Sequence, residues 1–153
     1  MKLDMGAGAF PREGYVTVDA YTEADIRAPM WDVGLEDGCA ETIYSCHALE
    51  HVAKAEVVPT LREWARLLKP GGYIEIIVPD LEWCCKEWLV WQTNGWHMDI
   101  LFGGQGHAGE FHKTGFTFNL MQAYAAEAGL RIERFERVDS HGQPSLYFEM
   151  RHV

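Results

Sequence analysis

Two acids and two glycines near the start of the chain have the types and spacing to hold a nucleoside. Lys2-Leu3-Asp4-Met5 is a short apolar strand running straight into the turn Gly6-Ala7-Gly8. There the missing Cβ atoms let backbone press against a bulky ligand and take up unusual φ. Gly14-Tyr15-Val16-Thr17-Val18-Asp19 reads as a second strand ending in an acid, and a carboxylate at a strand tip accepts both hydroxyls of a ribose. The full dinucleotide fingerprint is absent. Pro11 stands where a third glycine is needed, and the two strands are too close in sequence for a complete crossover helix. A nucleoside therefore fits better than a dinucleotide, whose pyrophosphate needs a cradle.

A second constellation follows a later strand. His47-Ala48-Leu49-Glu50-His51 matches H-x-x-E-H, in which two histidines four apart on a helix ligate zinc beside a glutamate. This stretch begins at a strand tip, where the glycine turn and Asp19 also belong, so the histidines fall on a loop and a helix start. No third protein ligand is evident nearby. No metal is expected here, and a structural histidine pair is the plainer account; a zinc hydrolase built on His47, Glu50 and His51 is the sharper one, and it predicts stoichiometric zinc.

The elements that must position these groups read as α/β. Residues 41–46 are β-branched and aromatic and make a buried strand; residues 24–27 offer a third short one, and 30–38 a loop. In residues 54–68, Val57, Val58, Leu61, Trp64, Ala65, Leu67 and Leu68 recur at helical spacing, with Pro59 in the first turns. Lys69-Pro70-Gly71-Gly72 is a hard stop before the strand 73–78. Asp80 caps a helix to about Gln92 whose Trp83, Trp88 and Trp91, with Trp96 beyond, are read as core and dimer contact ahead of a substrate wall. Residues 103–109 are glycine-rich and read as a mobile loop that a ligand orders. Thr117 caps a helix over 118–128, and residues 131–138 and 146–151 alternate as an antiparallel pair. The expected fold is a Rossmann-like, mostly parallel sheet with helices on both faces and a C-terminal antiparallel hairpin.

Composition bounds the partners. At 153 residues a single domain over 1–153 is expected, and a net charge of −10 argues against a polyanion surface, hence no nucleic acid. No apolar run reaches membrane-spanning length, and no basic, apolar leader opens the sequence. Cys39, Cys46, Cys84 and Cys85 show neither C-x-x-C spacing nor a disulfide frame. A cytoplasmic protein with reduced thiols is the expectation.

Taken together and in this order, Leu3-Asp4-Met5-Gly6-Ala7-Gly8, Gly14 to Asp19, His47-Ala48-Leu49-Glu50-His51-Val52, Leu67-Leu68-Lys69-Pro70-Gly71-Gly72 and Val78-Pro79-Asp80 resemble the class I S-adenosylmethionine-dependent methyltransferases, in particular their compact type 11 group. The likeness runs from position 2 to about position 135. It implies S-adenosyl-L-methionine as cofactor and S-adenosyl-L-homocysteine as product. It also implies that Asp4, Met5, Gly6, Ala7 and Gly8 form the first motif, that Asp19 holds the ribose, that Asp25 and Ile26 border the adenine, and that Ser45, Cys46 and His47 line the methionine side. Phe10-Pro11 stands where the family has a longer helix, and no helix precedes the first strand; a pocket more open, or closed by another subunit, is the expectation. Methyl transfer needs a base only where the acceptor must lose a proton. For a hydroxyl acceptor that base is His112 first, since imidazole titrates in the useful range, and Asp80 second. A small-molecule acceptor, such as a sugar or metabolite hydroxyl, is preferred. A non-catalytic cofactor-binding or partner subunit is the alternative from another class.

Overall fold

The computed structural model describes residues 1–91 and 95–153; Gln92, the expected end of the second helix, and the side chain of Trp91 lie outside the described residues. The elements are β1 (Lys2–Met5), β2 (Val16–Val18), β3 (Ala40–Cys46), α1 (Val57–Leu67), β4 (Leu68–Pro79), α2 (Leu81–Trp91), α3 (Gly95–Phe102), α4 (Phe118–Glu127), β5 (Leu130–Ser140) and β6 (Gln143–His152). Short 3-10 turns at Leu49–His51 and Lys54–Glu56 lead into α1. One six-stranded sheet has the order β2-β1-β3-β4-β6-β5. Its first four strands are parallel, and β6 runs antiparallel to both β4 and β5. The expected Rossmann-like class, with its antiparallel end, is the one observed.

Period-two alternation decides which side chains enter the core. Ile74, Ile76 and Val78 of β4 stand opposite Met150, Phe148 and Leu146 of β6, and all six are buried. Leu3 and Ile43 continue the same face, and it is closed by Leu61, Trp64 and Ala65 of α1 and by Met121 and Ala125 of α4. Each large apolar side chain sealed here contributes about 1.5–3 kcal/mol. The Trp64 indole keeps its N–H satisfied by donating to the Met30 carbonyl at 2.8 Å, which ties the loop after β2 to α1.

The opposite face has a different chemistry. No helix is formed between β1 and β2, and the Arg12 guanidinium lies there over Tyr44 at 4.2 Å and Tyr15 at 4.9 Å while donating to Glu75 at 2.9 Å. Stacking of a weakly hydrated cation on two rings, with a carboxylate behind it, covers backbone that apolar side chains cover elsewhere.

Three elements differ from expectation. Residues 24–27 form no strand; Ile26 makes a single bridge to Val18. Lys69-Pro70-Gly71-Gly72 is no gap between helix and strand but a bulge within β4, since Ala40 pairs with Leu68 and Thr42 already with Tyr73. The helix α3 was not foreseen. Its apolar residues show no single face, and it packs on α2 through Trp83, which lies 5.5 Å from the Trp96 ring and 5.9 Å from His97. Pro59 sits in the first turn of α1, where its lack of an N–H costs nothing.

Candidate active site

The glycine turn and the end of β2 are stapled together. Gly6 and Ala7 donate to the Val18 carbonyl at 2.8 and 3.3 Å, and the Asp19 carboxylate accepts from Gly8 at 3.0 Å, Tyr21 at 2.7 Å and Thr22 at 2.8 Å. Burial alone would lift the Asp19 carboxyl; these three backbone N–H groups outweigh it and hold the group below the usual carboxylate range. Gly6 has φ of 71°, and a Cβ there would collide with that of Ala48, so the turn is pressed against the start of the His47–His51 stretch. Together these pieces enclose a cavity of about 250 Å³.

Of the residues assigned to the cofactor, Gly6, Gly8, Asp19 and His47 line that cavity. The others do not, each for a local reason. Asp4 is buried and accepts the Arg12 N–H at 2.8 Å; burial lifts its carboxyl above the usual range, Arg12 opposing. Met5 and Ala7 are buried among neighbours, Met5 in the core cluster. Asp25 spends its carboxylate on the Thr17 N–H and hydroxyl, both at 2.9 Å. Ile26 packs against the core, and Ala28, Pro29, Met30 and Trp31 stand at the cavity instead. Ser45 is fully buried on the strand position paired with Ile76. Cys46 lies 3.6 Å from the Ser140 hydroxyl, its thiol pushed up by burial and so protonated at neutral pH.

The remaining wall comes from a segment distant in sequence. Tyr21 meets His107 with ring centroids 6.1 Å apart, and Gly109 and Glu110 complete the lining. The glycine-rich loop of residues 103–109 is thus the chain's own cover for the cavity. Gly103 permits it: at φ of 79°, a Cβ there would run into the Glu110 carbonyl.

A second cavity of about 350 Å³ adjoins the first, and His47 and His51 line both. Its walls include Phe10, Trp96, Glu50, Asp99, His112 and His141. Five of the chain's seven histidines, His47, His51, His107, His112 and His141, therefore stand at these two cavities. His112 is brought there by a backbone clamp: Lys113 and Thr114 donate to the Glu50 carbonyl at 2.8 and 3.1 Å, and His112 donates to Phe102 at 3.0 Å. Its ring Nδ1 donates to the Ile100 carbonyl at 2.8 Å. Burial lowers its pKa, with the Glu50 charge and the Ile100 contact opposing, which leaves a neutral ring at neutral pH with its Nε2 lone pair open. The spacing of histidines before and after the glycine loop was the one sequence signal of this convergence.

Asp80 stands apart. It lines neither cavity; it caps α2 by accepting the Trp83 N–H at 2.9 Å and holds Arg137 at 3.0 Å. The structure thus brings His112 and not Asp80 to these cavities, the Asp80 carboxylate being engaged by α2 and Arg137.

His47 is in the left-handed region at φ of 50°, a conformation that costs a non-glycine residue about 1–2 kcal/mol. It lies 3.6 Å from Glu50 through Nδ1 and 3.4 Å from the Ser145 hydroxyl through Nε2. Strain retained at a residue shared by two cavities is expected of function. His47→Gly is therefore expected to hold or raise the thermal midpoint, by about 2–4 °C per kcal/mol relieved, while turnover falls. A clear drop in midpoint on calorimetry would instead make His47 a fold residue.

This fold, with a glycine turn and an acid at adjacent strand tips, is the class I methyltransferase arrangement. A family model described as a methyltransferase domain matches residues 5–76, and the fold is that of solved S-adenosylmethionine-dependent methyltransferases. Similar solved structures include a methyltransferase from Methanosarcina mazei, at 16% identity and TM-score 0.70, covering 99% of this chain and 92% of that one. Another is the 1,6-didemethyltoxoflavin N1-methyltransferase of Burkholderia thailandensis with S-adenosylhomocysteine bound, at 16% identity and TM-score 0.68, covering 99% and 70%. An O-methyltransferase of neocarzinostatin biosynthesis matches at 15% identity and TM-score 0.65, covering 99% and 48%. No curated protein matches the sequence.

Proposed function

We propose that this chain, as a single domain over 1–153, transfers a methyl group from S-adenosylmethionine to a hydroxyl of a small molecule, such as a sugar or metabolite. The observation that carries the reading is the junction of two cavities at His47 and His51, one walled by the glycine turn and Asp19, the other by histidines and Glu50. The first would take the nucleoside and methionine, the second the acceptor. In the transfer, an acceptor oxygen lone pair forms the new bond to the methyl carbon. The C–S bond breaks with its electron pair passing to sulfur, which leaves as a neutral thioether, and the hydroxyl proton passes to the His112 Nε2 lone pair or to solvent. The protein's task is to hold the two reactants aligned and dry.

His112, Glu50 and His51 are the groups we assign to the acceptor oxygen. Among proteins of this fold, the Burkholderia N1-methyltransferase has 1,6-didemethyltoxoflavin bound beside S-adenosylhomocysteine, which supports a small-molecule acceptor. We further propose cytoplasmic residence, given the four free cysteines; among the described residues, no helix is long and apolar enough to cross a membrane. A homodimer would use the exposed Leu89, Val90, Met98 and Phe102 of α2 and α3. Calorimetric titration with S-adenosylhomocysteine tests the reading. One-to-one binding is expected, followed by methylated product in a screen of hydroxylated acceptors by mass spectrometry; no binding would remove the proposal, and binding without turnover would favour a non-catalytic partner subunit.

A further inference from the structure

Glu50 is the most exposed inconsistency in the energetics of this fold. Its carboxylate is 2% accessible, and neither oxygen has a hydrogen-bond partner. His47 Nδ1 stops at 3.6 Å and His112 Nε2 at 3.9 Å. A buried, unpartnered carboxylate is costly unless something cationic completes it.

The histidines around it are oriented as ligands are. His51 Nδ1 meets the Phe111 carbonyl at 3.2 Å and His112 Nδ1 the Ile100 carbonyl at 2.8 Å. A carbonyl only accepts, so each Nδ1 carries a proton and donates, which leaves Nε2 as the ring nitrogen free for another partner. Backbone carbonyls in this position fix the tautomer and orientation of metal-bound imidazoles. One donor atom from each of Glu50, His51 and His112 lies within 4.8 Å of the others. Ligands about 2.0–2.1 Å from an ion are roughly 3.3 Å apart in a tetrahedral site, a closure within reach of side-chain rotation.

We propose that Glu50, His51 and His112 hold a divalent first-row cation of the Zn²⁺ type, with its open positions toward the histidine-lined acceptor cavity. Two imidazoles and one carboxylate suit such an ion, whereas Mg²⁺ and Ca²⁺ favour all-oxygen sites. The donor set differs from the H-x-x-E-H pattern read along one helix. Here His47 follows the end of β3, Glu50 and His51 share a 3-10 turn, and the third ligand arrives from a loop far along the chain. On the acceptor assignment above, on which this part of the inference rests, the ion would bind the acceptor hydroxyl, lower its pKa and release its proton to solvent before the oxygen attacks the methyl carbon. The His112 lone pair is then committed to the metal, and no side-chain base is required.

The test uses metal-stripped protein titrated with Zn²⁺ by calorimetry and with Co²⁺ by visible absorption. One equivalent is expected to bind, with a Co²⁺ ligand-field band. His112→Ala and, separately, Glu50→Gln are expected to weaken binding at least tenfold, while His141→Ala, in the same cavity but outside the donor set, leaves it unchanged. Glu50→Gln keeps the side-chain volume and removes the buried charge, so it reports even if a histidine variant folds poorly. Absence of saturable binding in the wild type, or equal binding in His112→Ala, overturns the site. S-adenosylhomocysteine titrated into the same metal-free protein separates the two readings. Its binding keeps the methyltransferase proposal whatever the metal does, and metal uptake without it leaves the site standing alone.

Discussion

Asp19→Ala lowers the affinity for S-adenosylhomocysteine by about a hundredfold or more, measured by calorimetry. The proposed ribose contact has two hydroxyls donating to one ionised carboxylate, and a hydrogen bond to a charged group contributes about 1.5–3 kcal/mol. The same carboxylate already accepts from Gly8, Tyr21 and Thr22, so the variant also loosens the glycine turn and its thermal midpoint falls. Asp19→Asn separates the two effects: an amide oxygen can still take part of the backbone load, and loses the charge. Because the folded pKa lies below the unfolded one, Asp19 contributes stability that is fully present above the unfolded carboxylate value and is lost as pH falls through the folded value. Ligand affinity is accordingly expected to be flat from neutral pH down to the ordinary carboxylate range. An unchanged affinity in folded Asp19→Ala would show that the ribose lies elsewhere.

His112→Ala lowers methyl transfer by about a hundredfold to ten-thousandfold while leaving S-adenosylhomocysteine affinity unchanged. The split follows from placement: His112 lines the cavity proposed for the acceptor and not the one proposed for the cofactor. It holds whether the ring meets the acceptor itself or an ion that does. The readouts are turnover with a working acceptor and calorimetry on the same sample. Equal losses in both would move His112 into the cofactor site, and unchanged turnover would remove it from the mechanism. His112→Gln, which retains a polar atom but no basic imidazole, is expected to stay slow.

These expectations lean on local features that the sequence displayed and on placements that it did not. The glycine turn, the acid at the end of β2, the Thr117 cap of α4 and the antiparallel β5–β6 pair were legible because each is a short-range event. Strand alternation, cap chemistry and glycine conformations are fixed by residues within a few positions of one another. Pro59 in the first turn of α1 is of the same kind.

The roles of Asp25, Ser45, Cys46 and Asp80 needed more than proximity to a motif. Asp25 is claimed by Thr17, Ser45 faces the core by strand parity, and Asp80 is taken up by α2 and Arg137. For Asp25 and Asp80 a competing partner, across a turn or on another strand, wins the side chain, whereas Ser45 is carried into the core by strand parity alone. α3 was hidden because its apolar residues follow no single period and its packing partner is α2 rather than the sheet.

Sequence by itself determined the class of fold, the cup formed by the glycine turn and Asp19, and a histidine-glutamate stretch at the third strand tip. Tertiary structure alone decided that the loop of residues 103–109 closes over Tyr21 and that His112 meets Glu50 and His51. The physical reason is range. A clamp of backbone hydrogen bonds from Lys113 and Thr114 to the Glu50 carbonyl joins segments some sixty residues apart, and nothing in either segment's composition specifies the other as its partner.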